Sequence, residues 1–303
     1  MAQGDVTERL RELGDADGLT DIHGLSIGQR FWRRLVKNRL GLVGLIVVIV
    51  VIMMAILAPL LTPYTPREQD LLRRLEPPSR DHIMGIDHAG RDMFSRIAFG
   101  ARTSLMIGVV GATGGMVIGV ALGMLAGYFG GTFDNMVMRL VDVMMSFPGI
   151  LLAILIVSVL GPGLNNLMVA LVIWFVPTFA RITRGNVLSL REMDYVEAAR
   201  SLGASSARII TRHIMLNVLS PIIVYFTLSV ATSILTAAGM GFLGLGVQPP
   251  TPEWGAMASV GRQYLRDAPH VILFPGLAIF TTVLSINVVG DVLRDVLDPR
   301  LKT

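Results

Sequence analysis

The sequence has no cysteine. Disulfides, thiolate nucleophiles, thiolate metal sites and iron–sulfur clusters are therefore excluded. Lysine is nearly absent as well, with Lys37 and Lys302 the only two. Neither lies in a Gly-x-x-x-x-Gly-Lys-Ser/Thr loop, so that nucleotide site is missing. If the chain works on ATP, another polypeptide hydrolyses it. Charge of either sign is scarce: 16% of the 303 residues are charged, against about a quarter in soluble domains. The scarcity is uneven. No charge occurs in 41–61, 104–133, 143–180, 218–252 or 271–290. Each run is long enough, as a helix, to cross a hydrocarbon core of about 30 Å. Two soluble domains are excluded, and the chain reads as an all-α integral membrane protein. The net charge of +4 does not indicate nucleic acid, because the basic residues sit mainly between the apolar runs.

What is present divides the chain. Residues 1–40 form an N-terminal segment, whose first 25 residues are polar and lack an apolar period. They do not resemble a cleaved signal peptide, because the first apolar run begins only at residue 41. From Ser26 to Asn38, Ile27, Phe31 and Leu35 recur every four residues among Arg30, Arg33, Arg34 and Lys37. That pattern fits a basic amphipathic helix on the membrane surface, or else a positive flank of the first span. The first span is 41–61. Residues 62–103 form the longest loop, rich in Pro, Arg and Asp. A five-helix core follows over 104–290, and 291–303 is a charged tail.

Within the core, spans are expected at Ser104–Gly127, Val137–Leu160, Leu164–Ala180, Val218–Leu245 and Val271–Gly290. Pro148 lies inside the second of these, and Gly161-Pro162-Gly163 is a strong turn signal before the third. Six spans put both termini on one side. That side carries 17 Lys and Arg residues and the other nine, so the termini and residues 181–217 are expected in the cytoplasm.

No ionisable residue lies near the midpoint of any apolar run. This counts against a proton- or sodium-driven carrier, and against an intramembrane hydrolase, both of which need such groups at depth. The five histidines all lie outside the runs; His82 and His88 share the long loop as ordinary surface residues or, less simply, as metal ligands. Gly111, Gly115, Gly119, Gly123 and Gly127 recur every four residues and give one smooth helix face. Such a face lets another helix approach closely, either from this chain or from a second membrane subunit.

Residues 181–217 are organised rather than a simple tether. Asp194 followed by Glu197 reads as an Asp version of a capping box, starting a helix at Tyr195. Gly203 is placed to stop it with a positive φ. Ser205 or Ser206 can cap a second short helix running to about Leu216.

Glu197-Ala198-Ala199 followed by Gly203 resembles the signature loop of binding-protein-dependent ABC importer permeases. Where that family's pattern ends in Ile-x-Leu-Pro, His213-Ile214-Met215-Leu216 stand here. Further stretches are similar to the peptide-importer branch (dipeptide, oligopeptide and nickel permeases) and its second membrane subunit. They are Asn38-Arg39-Leu40-Gly41, Gly85 to Asp92, Gly100 to Leu105, Phe242 to Pro250, Glu253-Trp254-Gly255 and Leu297-Asp298-Pro299-Arg300. Before Phe242, where the family usually has an acidic residue and several serines, Thr236-Ala237-Ala238-Gly239-Met240-Gly241 occur.

The resemblance implies a type I importer permease fold with six transmembrane helices and a cytoplasmic two-helix coupling loop. It implies a bacterial inner-membrane subunit that is not itself an enzyme and carries no cofactor. Glu197, Ala198, Ala199 and Gly203 would dock on a cytoplasmic ATPase. The partners implied are a homologous second permease, two ATPase subunits or domains that bind ATP and Mg, and an extracytoplasmic binding protein that selects the cargo.

Overall fold

The structure is a computed structural model that describes residues 27–297. The expectations for residues 1–26 and for the tail from Asp298 lie outside the described residues. Ten α-helices are described besides the 3-10 turns at Leu71–Arg73 and Arg262–Tyr264: α1 Ile27–Lys37, α2 Arg39–Leu61, α3 Met93–Phe129, α4 Gly131–Met145 and α5 Gly149–Leu160. There follow α6 Leu164–Leu190, α7 Asp194–Ser201, α8 Ser206–Phe242, α9 Trp254–Gly261 and α10 His270–Leu297. Five of them, α2, α3, α6, α8 and α10, are each long and apolar enough to cross a membrane.

The third expected span, Val137–Leu160, is not one straight helix. It is the pair α4 and α5, bent by 89°. Pro148 has no N–H to give and disfavours helical geometry in the residue before it. Proline alone is not enough, since Pro59, Pro177, Pro221 and Pro275 all sit inside helices. At the bend, Gly149 lies directly against the indole of Trp174, in space that any side chain would fill.

The largest helix–helix contact is α3 with α6. Each glycine of the ladder meets the residue sixty positions later: Gly111 with Leu171, Gly115 with Phe175, Gly119 with Phe179, Gly123 with Thr183 and Gly127 with Val187. A constant offset means that α3 and α6 run parallel in a single register. Leu164 therefore stands level with Ser104. The chain leaves α3 at Phe129, so α4 and α5 must return it along the interval from Ser104 to Phe129, about 37 Å of helix. That distance spans a hydrocarbon core, and the bent pair is the sixth crossing.

Several helices extend beyond the charge-free runs at one end. Helix α3 starts eleven residues before Ser104, capped by Asp92 Oδ2 on the Ser95 amide at 2.7 Å. The loop after α2 is shorter than residues 62–103 by that length. Arg102, inside α3, donates to the carbonyl of Ala55, the oxygen that Pro59 leaves without a helical partner. It also reaches Ile56 O at 2.8 Å. Helix α6 runs ten residues past Ala180. There Arg184 grips Asp134 of α4 in a bidentate pair, 2.5 and 2.6 Å, and Arg181 pairs with Asp142. Charges at these helix ends are tolerated because each finds a partner on a neighbouring helix.

The opposite end is closed by Glu253-Trp254-Gly255. Glu253 caps α9 through the amides of Gly255 and Ala256, both at 2.8 Å, and accepts from Ser104 Oγ at 3.1 Å. Trp254 is fully buried beside Gly100 and donates to Ile97 O at 3.0 Å.

Candidate coupling surface and helix seam

Helix α6 ends where Arg191 Nη1 donates to Gly127 O at 2.9 Å, so the segment after it begins at the Phe129 end of α3. The eight-residue α7 follows. Its N-cap is Met193, in extended geometry, and no side chain caps it. The expected Asp194–Glu197 capping box is not formed. Asp194 is itself helical, in the first turn, so its carboxylate cannot serve from the N-cap position. Both acids instead lie in the first turn, where the helix dipole favours them.

The C-terminal end matches the sequence expectation. Gly203 has φ +81°. Ala204 N donates to Ala199 O and Gly203 N to Arg200 O, each at 3.0 Å, a complete Schellman pair. Nothing lies within 4 Å of a Cβ built on Gly203, so the backbone angle alone calls for glycine.

The second short helix ends differently from expectation. Ser205 caps it, through the Arg208 amide. It does not stop near Leu216 but passes through a π-helical stretch, Ile209–Ile214, into the rest of α8. Leu216 keeps the amide that a proline would lack, and nothing there interrupts the ladder.

Helix α7 is held to the body by one buried side chain, Val196, which joins a core with Val187, Ile209 and Ile214. Tyr195 Oη adds a 3.3 Å hydrogen bond from Asn217. The other face is open. Glu197 and Ala198 are exposed, Ala199 is half-buried, and Leu202 is 88% exposed. The sequence pattern alone does not mark Leu202 or Val196. The available signal was a lone leucine just before the stop glycine, on a short polar helix between two spans.

The glycine ladder is wholly buried inside this chain. A Cβ on Gly119 would stand 2.6 Å from both Phe179 Cβ and Val176 O, and one on Gly127 would stand 2.8 Å from Val187 Cβ. The seam therefore fixes α3 to α6, and α6 leads directly into α7. Of the loop histidines, His82 bonds Asp92 at 2.8 Å through Nδ1 and Arg73 at 3.2 Å through Nε2. His88 stacks on Tyr264 instead. Among the described residues, no group of three His, Asp or Glu side chains is placed to hold a metal.

Comparison with known proteins agrees with this architecture. The family described as binding-protein-dependent transport system inner membrane component matches residues 119–303. The N-terminal transmembrane domain of oligopeptide transport permease C matches residues 26–78. A dipeptide transport system permease protein of Alkalihalophilus pseudofirmus is 48% identical over 272 residues, 90% of each chain. A glutathione transport system permease protein of Pectobacterium atrosepticum is 47% identical over 276 residues, 91% of this chain and 92% of its own. Among solved structures, an inward-facing MetNI methionine ABC transporter superposes with TM-score 0.53 at 23% identity, covering 66% of this chain and 96% of that one. That likeness carries the fold alone. The chain belongs to the inner-membrane components of binding-protein-dependent transport systems, within the peptide and oligopeptide group of ABC importer permeases.

Proposed function

We propose that this chain forms half of the translocation path of an ATP-driven peptide importer and that α7 is the element through which ATP hydrolysis reaches it. The second half is a related permease. Two ATPase subunits or domains, holding ATP and Mg, lie on the cytoplasmic side, and a binding protein delivers cargo to the opposite side. The observation that carries this reading is α7 itself: a rigid, Schellman-stopped helix with its acidic and apolar residues turned outward and one buried anchor.

The physics of the lever follows from that anchor. Closure of the ATPases displaces α7 as a body, because its C-terminal stop is fixed by two backbone hydrogen bonds. Val196 passes the displacement to the 209–214 stretch of α8, and through the buried cluster they share to α6. Burying such a side chain contributes about 1.5–3 kcal/mol, enough to keep α7 in contact with the body through the stroke. The seam then obliges α3 to move with α6. Glu197 offers a charge and Leu202 an apolar knob to the ATPase cleft. The dipeptide and glutathione transport names of the relatives support peptides as the cargo class.

The test is ATP-dependent uptake of labelled dipeptide by proteoliposomes holding the whole complex. Glu197→Lys is expected to abolish uptake while leaving the chain in the membrane. Ser205→Cys is expected to react with an impermeant thiol reagent only in inverted vesicles, which is clean because the chain has no cysteine. Uptake that follows an ion gradient without ATPases, or labelling of position 205 in intact cells, overturns the reading.

A further inference from the structure

At the Met93 end of α3, opposite α7, a cavity of about 290 Å³ lies between the 87–96 segment, the turn after α8 and helix α9. Its polar wall holds Asp87, His88, Arg91 and Arg96. Asp87 is 3% exposed, Arg91 6% and Arg96 5%. One carboxylate serves both guanidiniums. Asp87 Oδ1 accepts from the amides of Ala89 and Arg91, at 2.8 and 2.9 Å. Oδ2 accepts from Arg91 Nε at 2.7 Å, and Arg96 Nε stands 3.3 Å away without forming a hydrogen bond. Arg96 Nη1 goes instead to Pro66 O at 3.1 Å. Among the described residues, the two terminal nitrogens of Arg91 form no hydrogen bond, and the buried His88 Nδ1 has no partner.

The count leaves one positive charge uncompensated in a buried place. Nearby acids do not correct it. Asp92 is turned to His82, and Glu253 is occupied by the α9 amides and Ser104. A buried charge without a partner is costly, so an anion entering the cavity removes a penalty as well as forming bonds. A guanidinium with free terminal nitrogens matches the two oxygens of a carboxylate. The remaining wall is mostly apolar, with Val247, Met257 and Val260 beside Gln248, Thr251 and Ser259. No carboxylate besides Asp87, which Arg91 already engages, lines the cavity, so no free carboxylate meets an ammonium group there. The volume is at the small end of ligand pockets.

We infer that this cavity is a subsite for the C-terminal carboxylate end of a peptide, held by Arg91 with His88 beside it and the adjoining side chain against the apolar wall. The inference rests on the peptide-importer reading and adds that this chain itself contacts cargo at the mouth of the path.

The experiment uses the assembled transporter in lipid nanodiscs, without binding protein or nucleotide, titrated calorimetrically with Ala-Leu and with its C-terminal amide. The free acid is expected to bind about ten-fold or more tightly than the amide, as a lost charge-assisted pair implies. Arg91→Gln is expected to remove that preference. Ser259→Phe, which narrows the cavity and leaves the charges in place, is expected to weaken both ligands. Equal affinity for acid and amide in the unmodified transporter overturns the inference. So does an acid preference that survives Arg91→Gln. If Arg91→Gln fails to assemble, unchanged binding by Ser259→Phe overturns it. Weakened docking of the binding protein in Arg91→Gln, with peptide binding intact, gives the pocket to that protein and also overturns the inference. A complex with no ATP-driven peptide uptake sinks the functional reading; one that transports but shows no acid preference sinks only the subsite.

Discussion

The two ends of helix α3 are built in opposite ways. At the Met93 end, Asp87, Arg91, Asp92, Arg96 and Glu253 are all buried: Arg91 pairs with Asp87, Asp92 with His82, Arg96 donates to Pro66 O, and Glu253 accepts from backbone amides. At the Phe129 end, α7 keeps a single buried residue, Val196, and turns Asp194, Glu197 and Leu202 outward. The first arrangement resists deformation, because any shift strands a charge in a low-dielectric setting. The second presents a surface whose cost is already met by solvent. Motion is permitted where burial is least. A transport cycle can displace α7 at little internal cost, while the far end holds the register of α3, α8 and α10.

The seam between these ends is where the comparison breaks hardest. Gly119→Leu places a branched side chain against Phe179 Cβ and Val176 O, each 2.6 Å from the new Cβ. One of these is backbone and cannot give way. A loss of about 3 kcal/mol or more is expected, at the upper end of overpacking costs. The measurable outcome is aggregation or degradation of the chain itself. A Gly119→Leu protein that stays monodisperse and loses only its partner permease would show that α3 pairs outside the chain.

The seam also shows what was legible in the sequence. Five glycines at a spacing of four mark a flat face, and the charge-free runs locate α2, α3, α6, α8 and α10, whereas α4, with Asp134, Arg139 and Asp142, lies mostly between two runs. Helix ends are less legible, because a charge with a distant partner does not mark an edge. Arg96, Arg102, Arg181 and Arg184 all lie inside helices, compensated by partners 9 to 154 residues away that no local pattern reveals. The bend at Pro148 was hidden for a related reason. Four other prolines stay helical; this one is followed by Gly149, which lies against Trp174 of another helix. In the coupling segment, the stop at Gly203 was readable because φ is a local property. The absent capping box was not, since whether Asp194 lies outside or inside the first turn is set by how α6 releases the chain at Arg191.

The end that carries α7 is sharpened by two milder substitutions. Gly203→Val forces φ +81° on a β-branched residue with no steric contact to confuse the result. The cost is roughly 1–2 kcal/mol, confined to the stop of α7. The body is expected to remain folded by thermal melting in detergent, while peptide uptake falls. Unimpaired uptake would show that α7 need not be rigid. Leu202→Ser changes a side chain that is 88% exposed, so stability should move by no more than about 0.5 kcal/mol. Co-purification of the ATPase subunits should nonetheless weaken. If it does not, the exposed leucine is not part of the contact.

The smallest effect belongs to the rigid end and concerns a proton. Burial of the His88 ring pushes its pKa below the ordinary histidine value of 6.5; Asp87 opposes this, and Arg91 and Arg96 reinforce it. The folded chain therefore binds the proton less readily than the unfolded chain. As pH falls below about 6.5, the unfolded state gains protons first, and the contribution of His88 to stability declines until the folded form is protonated too. The melting temperature in detergent should fall slightly more between pH 7 and pH 5 for the unmodified chain than for His88→Gln, whose side chain does not titrate. Bound Ala-Leu should shrink that difference, because a carboxylate beside the ring stabilises the imidazolium and raises the depressed pKa toward its unfolded value. If the pH trend is identical in both proteins, His88 does not report on the cavity, and the charge there rests on the two arginines and Asp87 alone.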